Sequence, residues 1–91
     1  RSILSHLANH PAVRHVALFA QPINRIDSTG VDSFCQLQAA LGERDITLHI
    51  SGIKLPVEKL LLRVNALQAT PLLKMYRTDA EALAALAHIR A

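Results

Sequence analysis

The sequence predicts a single α/β domain with a mostly parallel central sheet flanked by helices. The chain has 91 residues, which is enough to bury one modest aliphatic core. Along it, short apolar runs of strand type alternate with longer segments whose apolar residues recur at helical spacing. This alternation is typical of parallel strands that are joined by right-handed helical crossovers.

The first half of the chain predicts a helix, a strand and a second helix. Ser2–Asn9 has one apolar side and is followed by Pro11, which favours a short helix. Residues 14–20 hold an almost unbroken apolar run, the pattern of a strand that is covered on both faces. Residues 30–42 predict the second helix, with Gly42 as its stop. Its apolar side consists of Val31, Phe34, Cys35, Leu37 and Leu41.

The second half predicts two more strands, each followed by a helix. Residues 46–50 alternate, so Thr47 and His49 face away from the aliphatic side chains. A helix then starts at Pro56, closes at Asn65 and carries the stripe Val57, Leu60, Leu61 and Val64.

The last strand and helix follow from the sequence after residue 71. Residues 72–76 form a third apolar run of strand type. Thr78 and Glu81 have the spacing of a capping box, which predicts the start of the last helix. Its apolar stripe is Leu83, Leu86 and Ile89.

Two polar loops are predicted at the edge of the sheet where parallel strands end. The first consists of Asp27, Ser28, Thr29, Gly30 and Val31, and the second of Ser51, Gly52, Ile53 and Lys54. Ligands of open parallel sheets usually bind beyond the carboxyl ends of the strands. We therefore expect that the two loops form a shared surface.

The chemistry of the first loop permits two interpretations. Asp27, Ser28 or Thr29 can cap the free amides of the helix, and Thr29 with Asp32 approximates a capping box. Gly30 lets another backbone or an oxyanion approach closely. The same amides and the helix dipole also favour a bound anion, or a phosphate esterified to a hydroxyl.

Several segments together resemble the STAS domain family. The run Arg25–Val31, Arg-Ile-Asp-Ser-Thr-Gly-Val, is similar to the signature loop of that family. Residues 37–41, 46–54 and 56–57 resemble the branch that forms the cytoplasmic carboxyl-terminal domain of SulP anion transporters. Residues 78–83 fit the closing helix of the family. The similarity covers nearly all of residues 1–91, which we expect to be one STAS domain within a larger membrane transporter.

The resemblance implies a function and a set of partners. It implies a noncatalytic regulatory domain without a cofactor, located at the cytoplasmic face of the inner or plasma membrane. The implied partners are the transmembrane domain of the same transporter, a second copy, and a cytosolic regulatory protein or kinase. In the related anti-sigma factor antagonists, the residue after the loop aspartate accepts phosphate, which maps this role onto Ser28. A stand-alone cytosolic antagonist is therefore the alternative, and a small-ligand binder is a third.

Two departures from the family pattern stand out. STAS domains usually open with a strand or a strand pair, whereas this sequence begins at the first predicted helix. The usual amino-terminal strands are therefore expected to be absent from the sequence. Arg25 also stands where antagonists commonly carry an apolar residue, which weakens an antagonist-type docking surface.

Composition excludes several other functions. The ten Lys and Arg residues are scattered, and Phe19, Phe34 and Tyr76 provide no stacking platform, so no nucleic-acid partner is expected. No apolar stretch is long enough for a membrane span, which predicts a soluble domain without direct membrane insertion. Cys35 is expected to be a buried, inert thiol.

The histidines offer no metal site and no catalytic base. His6 and His10 have helical spacing but lack an acidic or thiol partner, so we interpret them as surface residues. His15, His49 and His88 are isolated in the sequence. No nucleophile has a positioned base nearby in the sequence, which argues against an enzyme.

Overall fold

The computed structural model of the chain describes residues 12–67 and 70–90. Within them, three strands alternate with three helices: β1 (His15–Phe19), α1 (Ser28–Glu43), β2 (Thr47–Ser51), α2 (Leu55–Arg63), β3 (Leu73–Tyr76) and α3 (Asp79–Arg90). The helix predicted at Ser2–Asn9 lies outside the described residues, as do His6 and His10. The other six predicted elements are all confirmed in type.

The three strands form one parallel sheet with β2 in the middle. Ala17 of β1 lies opposite His49 of β2, and Ser51 of β2 lies opposite Tyr76 of β3. This confirms the predicted parallel α/β fold. Because all three strands run in the same direction, their carboxyl ends meet at one edge, where each chain segment leaves for the next helix.

One face of the sheet carries the main core. Leu48 and Ile50 of β2 point to this face and are almost fully buried. Helix α1 covers it, and partly buried side chains of α1 contact both clusters of buried residues. The buried apolar residues of the two clusters are Ala20, Leu41, Ile46, Leu48, Ile50, Val57, Leu61 and Ala66. Burial of this aliphatic surface is the main force that holds α1 on the sheet and α2 against α1.

The opposite face of the sheet carries polar side chains and is covered by α3. Residues alternate between faces along a strand, so His49 and Ser51 share this face. Both are 1% exposed. Ser51 contacts Asp79 in the first turn of α3, and Ala82 on the next turn is 1% exposed. Helix α3 therefore packs on the polar side of β2 and β3.

Helix α1 is longer at both ends than the sequence predicted. Its N-cap is Asp27, whose side chain accepts a hydrogen bond of 2.9 Å from the backbone N–H of Gly30. The predicted capping box of Thr29 and Asp32 is wrong, because the helix has already begun at Ser28. An N-cap must have extended backbone angles, and Asp27 has them.

The predicted stop of α1 at Gly42 is also wrong. The helix continues through Gly42 to Glu43, and Asp45 takes the left-handed conformation with φ of 56°. The Asp45 N–H donates to the Gly42 carbonyl at 3.1 Å, and the Ile46 N–H donates to the Leu41 carbonyl at 2.9 Å. These two bonds form a Schellman motif, which satisfies the last carbonyls of the helix.

Helix α2 ends as predicted but starts one residue earlier than expected. Lys54 is its N-cap without a side-chain bond, so Pro56 stands at the second helical position and not the first. At the other end, Asn65 has φ of 58° and its N–H donates to the Leu62 carbonyl at 3.1 Å. The Ala66 N–H donates to the Leu61 carbonyl at 2.8 Å, which completes a second Schellman motif.

Helix α3 starts as predicted, yet its packed side differs from the prediction. The Thr78 hydroxyl accepts a bond of 3.1 Å from the Glu81 N–H, while Glu81 accepts from the Arg77 N–H and not from Thr78. Leu83 is 55% exposed and Ile89 is 47% exposed, whereas Ala82 is buried. The apolar stripe read from the sequence therefore points largely away from the sheet.

Two smaller expectations also need correction. Strand β1 was predicted to be covered on both faces, but its residues are half-buried and Phe19 is exposed. Cys35 was predicted to be buried and is half-buried, packed against the cluster of Val57, Leu61 and Ala66. Strand β1 lies at an edge of the sheet within the described residues.

Candidate functional site

The first predicted loop lies at the amino end of α1. Asp27 is the N-cap, and Ser28 and Thr29 are the first two helical residues. All three are exposed, while Gly30 and Val31 are half-buried. The first amides of a helix have no partner within the helix itself, and Asp27 satisfies that of Gly30. The Ser28 hydroxyl thus stands in solvent at the positive end of the helix dipole.

Gly30 lies close to a neighbouring side chain. A Cβ atom at this position would lie 2.7 Å from Cγ1 of Ile26, closer than real Cβ atoms approach carbon. The approach of an oxyanion to Gly30 stays a prediction. Arg25, Ile26, Asp27 and Gly30 line a shallow, open depression beside the cap.

The second predicted loop follows β2 at the same edge of the sheet. Ser51 is buried, and its hydroxyl donates a bond of 2.6 Å to Oδ1 of Asp79. Gly52 has φ of 70°, a conformation that favours glycine, and its N–H donates to the Tyr76 carbonyl at 3.2 Å. Ile53 and Lys54 are half-buried. This loop therefore serves mainly to join β2 to β3 and α3.

A single side-chain bridge connects the two loop regions. The Lys54 ammonium donates a hydrogen bond to the side-chain oxygen of Asn24, which lies three residues before the cap aspartate. Lys54 and the segment 24–27 thus share one surface. Ser51 does not contribute to it, because its side chain is buried against α3. The predicted shared surface consequently keeps Lys54 but loses Ser51.

The structure also assembles a polar chain that the sequence did not predict. The Nδ1 atom of His15 lies 3.0 Å from Nε2 of His49, and Nδ1 of His49 lies 2.9 Å from the Tyr76 hydroxyl. Each of the three strands supplies one of these residues. His15 and His49 are isolated in the sequence, and the pairing of the strands brings them together. The alternation of residues 46–50 predicted the face on which His49 lies but not its partners.

The environment of His49 favours its neutral form. Burial is the main cause that lowers its pKa from 6.5, and the positive charges of His15 and Lys74 lower it further. His88, in contrast, is exposed on α3. Within the described residues, no buried side-chain nitrogen or oxygen lacks a hydrogen-bond partner. The polar face is therefore a satisfied network, which is the condition for burying such groups without a large penalty.

Comparison with known protein families identifies the domain. A family profile described as the STAS domain matches residues 1–82, which is most of the chain. The chain belongs to the STAS domain family. The three-stranded parallel sheet and three helices are consistent with the STAS fold. Searches of curated proteins and of solved structures gave no significant match.

Membership in the STAS family agrees with a regulatory role. STAS domains are generally noncatalytic, and the family includes regulators of the anti-sigma factor antagonist type. Among residues 12–67 and 70–90, no group of three or more His, Cys, Asp or Glu side chains is placed to hold a metal ion. None of the helices in the same part of the chain has the length and apolar character that a bilayer crossing requires.

Proposed function

We propose that this STAS domain is a noncatalytic regulatory module whose contact surface is the loop Asp27–Val31, and that it belongs to a SulP-type anion transporter. The observation that carries the proposal is the exposed Ser28 hydroxyl at the first position of α1, directly after the cap aspartate. The attribution to the transporter branch rests on the resemblance of residues 37–41, 46–54 and 56–57 to that branch.

The electrostatics of the loop support regulation by a change in partner affinity. Phosphate on Ser28 adds about −1.5 to −2 charge at neutral pH, next to a helix start that favours anions. The carboxylates of Asp27 and Asp32 oppose this charge. Asp27 already satisfies the Gly30 amide, so the helix does not need the phosphate in order to form. A modification here therefore changes the surface and leaves the fold intact.

The proposed partners follow from this location. The membrane domain of the same transporter, a second copy or a cytosolic regulatory protein would contact the loop at the cytoplasmic face of the membrane. Arg25 and Lys54 add two cations close to the loop, which favours an acidic partner surface. By binding there, the partner would bias transport or assembly without any chemical step on the domain.

The first test identifies the native context. An antibody against the domain would be used on fractionated cells, and the mass and fraction of the native product would be recorded. The proposal predicts a product several times larger than 10 kDa in the membrane fraction. A small product confined to the cytosolic fraction would contradict the transporter assignment.

The second test addresses Ser28 in the full-length protein. Ser28→Asp places a negative charge at the loop, and Ser33→Asp places the same charge on the exposed side of the same helix. We expect Ser28→Asp to change anion uptake by membrane vesicles while Ser33→Asp and Ser28→Ala do not. Equal effects of the two aspartates would show that charge on α1 matters and the loop does not. Far-ultraviolet circular dichroism checks that the helices are retained.

A stand-alone anti-sigma factor antagonist is the second candidate. It is favoured by the same exposed Ser28, which follows the loop aspartate as in that branch. This function requires phosphate on Ser28 of the native protein, detectable by mass spectrometry of the purified product. Phosphoserine at Ser28 of a small cytosolic product would favour the antagonist, whereas an unmodified, membrane-associated product would favour the transporter.

A further inference from the structure

The polar chain lies across all three strands, on the face of the sheet where α3 packs on β2 and β3. His15, His49 and Tyr76 are separated by 34 and 27 residues in sequence, yet each contacts the next at hydrogen-bond distance. The His49 ring lies 5.1 Å from the His15 ring and is stacked on the Tyr76 ring at 5.8 Å. Removing one member would disconnect the polar contacts between an outer strand and β2.

The polar chain of His15, His49 and Tyr76 can hold only a limited number of protons. A hydrogen bond between Nδ1 of His15 and Nε2 of His49 needs a hydrogen on one nitrogen and a lone pair on the other. The Tyr76 hydroxyl can donate or accept, so it adjusts to either tautomer of His49. The hydrogen bond between the two histidines forms when both are neutral and also when the pair carries one added proton. With a second added proton, both facing nitrogens carry hydrogen and repel each other.

No carboxylate of the described residues is in contact with the two histidines. Lys74 of β3 lies opposite His49 in the strand register and adds a positive charge. On α3, Asp79 accepts from Ser51, Glu81 accepts from the backbone of Arg77, and His88 is exposed. Helix α1 covers the other face of the sheet. A doubly protonated pair would therefore lack a neutralising partner among these groups.

We infer that His15, His49 and Tyr76 form a proton-operated switch on the polar face of the sheet. With at most one added proton, the polar chain connects β1, β2 and β3 through side-chain hydrogen bonds on that face. A second proton breaks the bond between His15 and His49 and loosens β1, which pairs with β2 alone among the described strands. Acid would then weaken the pairing of β1 with β2. This inference does not depend on the proposed function.

The direct test is a side-chain ¹⁵N NMR titration of the domain between about pH 8 and pH 5, the range in which histidine normally changes charge. Exposed His88 serves as an internal reference. Coupled groups release protons in steps that belong to the pair. We therefore expect the signals of His15 and His49 to move together in two steps. Independent single steps for these two histidines would overturn the inference.

Two variants make the test specific. Tyr76→Phe removes only the hydroxyl, so we expect the ¹⁵N shift of Nδ1 of His49 to change while the shifts of His88 stay the same. His15→Gln removes the facing nitrogen, and we expect His49 to titrate in one step. In the same His15→Gln variant, we expect the amide hydrogen exchange of Val16 and Leu18 in acid, corrected for intrinsic rates, to lose its pH dependence. Unchanged His49 signals in Tyr76→Phe, or an unchanged pH dependence in His15→Gln, would contradict the switch.

Discussion

The hydroxyl of buried Ser51, at the end of β2, donates a hydrogen bond of 2.6 Å to Oδ1 of Asp79 in the first turn of α3. This bond attaches α3 to the polar face of the sheet. It also places the start of α3 beside Gly52, whose Cβ, if present, would lie 3.5 Å from the same oxygen. The position of α3 on the sheet therefore depends on the hydrogen bond to the Asp79 carboxylate and on the packing of Ala82.

Replacement of Ser51 by Ala is expected to destabilise the domain. The substitution leaves the half-buried Asp79 carboxylate without its donor, at a cost of about 1–3 kcal/mol in the free energy of unfolding. Urea denaturation measures the change. Ser33→Ala removes an exposed hydroxyl and should stay within about 0.5 kcal/mol of the parent protein. Equal effects of the two substitutions would show that the Ser51 bond does not stabilise α3.

Two glycines of α1 should respond in opposite directions to alanine. At Gly42 a Cβ would meet no atom within 4 Å, so Gly42→Ala is expected to stabilise the helix by about 0.5–1 kcal/mol. At Gly30 the Cβ would lie 2.7 Å from Ile26, so Gly30→Ala should destabilise the domain. Denaturation midpoints of the two variants test this pair. A stabilised Gly30→Ala variant would show that Ile26 moves aside freely.

The left-handed turn after α1 gives a third prediction. Asp45 has φ of 56°, which costs an ordinary L-residue about 1–2 kcal/mol and glycine almost nothing. Asp45→Gly should therefore raise the thermal unfolding temperature, and Asp45→Ala should lower it. Asp45 is exposed, so neither substitution disturbs the core. Two variants that shift the unfolding temperature equally would exclude the backbone angle as the cause.

Stability is expected to fall in mild acid because of His49. Burial first, and then the charges of His15 and Lys74, lower its pKa in the folded protein below the ordinary value of 6.5. Between that lowered pKa and 6.5, the unfolded chain binds more protons than the folded one. The contribution of His49 is thus fully present above about pH 6.5 and is lost as the pH falls from 6.5 toward the folded pKa. Urea denaturation across this range measures it.

The positive charge of Lys74 provides a specific check on this pH dependence. Lys74→Gln removes one of the causes that lower the pKa of His49, so the pKa of that imidazole should rise. Lys59→Gln changes an exposed lysine of α2 and serves as the control. An NMR titration of His49 compares the two variants. If both shift it by the same amount, the net charge of the domain and not the position of Lys74 is responsible.

Local signals explain which parts of the fold were predictable. The alternation of strand and helix patterns led to the parallel sheet, because hydrophobic periodicity reports which side of each element is covered. Asn65 and Thr78 were assigned correctly because capping involves residues only a few positions apart. Membership of the STAS family was likewise visible in the order and spacing of short segments, and the family profile bears it out.

The errors occurred where two local solutions competed. Gly42 and Asp45 are both acceptable left-handed residues, and the chain uses Asp45 because α1 continues past Gly42. On α3, Leu83 and Ile89 have the periodicity of a packed side, but the small side chain of Ala82 lies against the sheet. That face already carries the buried side chains of His49 and Ser51.

By itself, the sequence determined the class of fold, the order of the described elements and the family, because these depend on periodicity and on short-range motifs. Only the tertiary structure decided that His15, His49 and Tyr76 form one hydrogen-bonded chain of side chains. It also decided that the Ser51 side chain bonds to α3 and does not contribute to the loop surface. The physical reason is strand register. Residues 27 to 34 positions apart come into contact only after two parallel pairings have formed, and a shift of one residue would turn each of them to the other face.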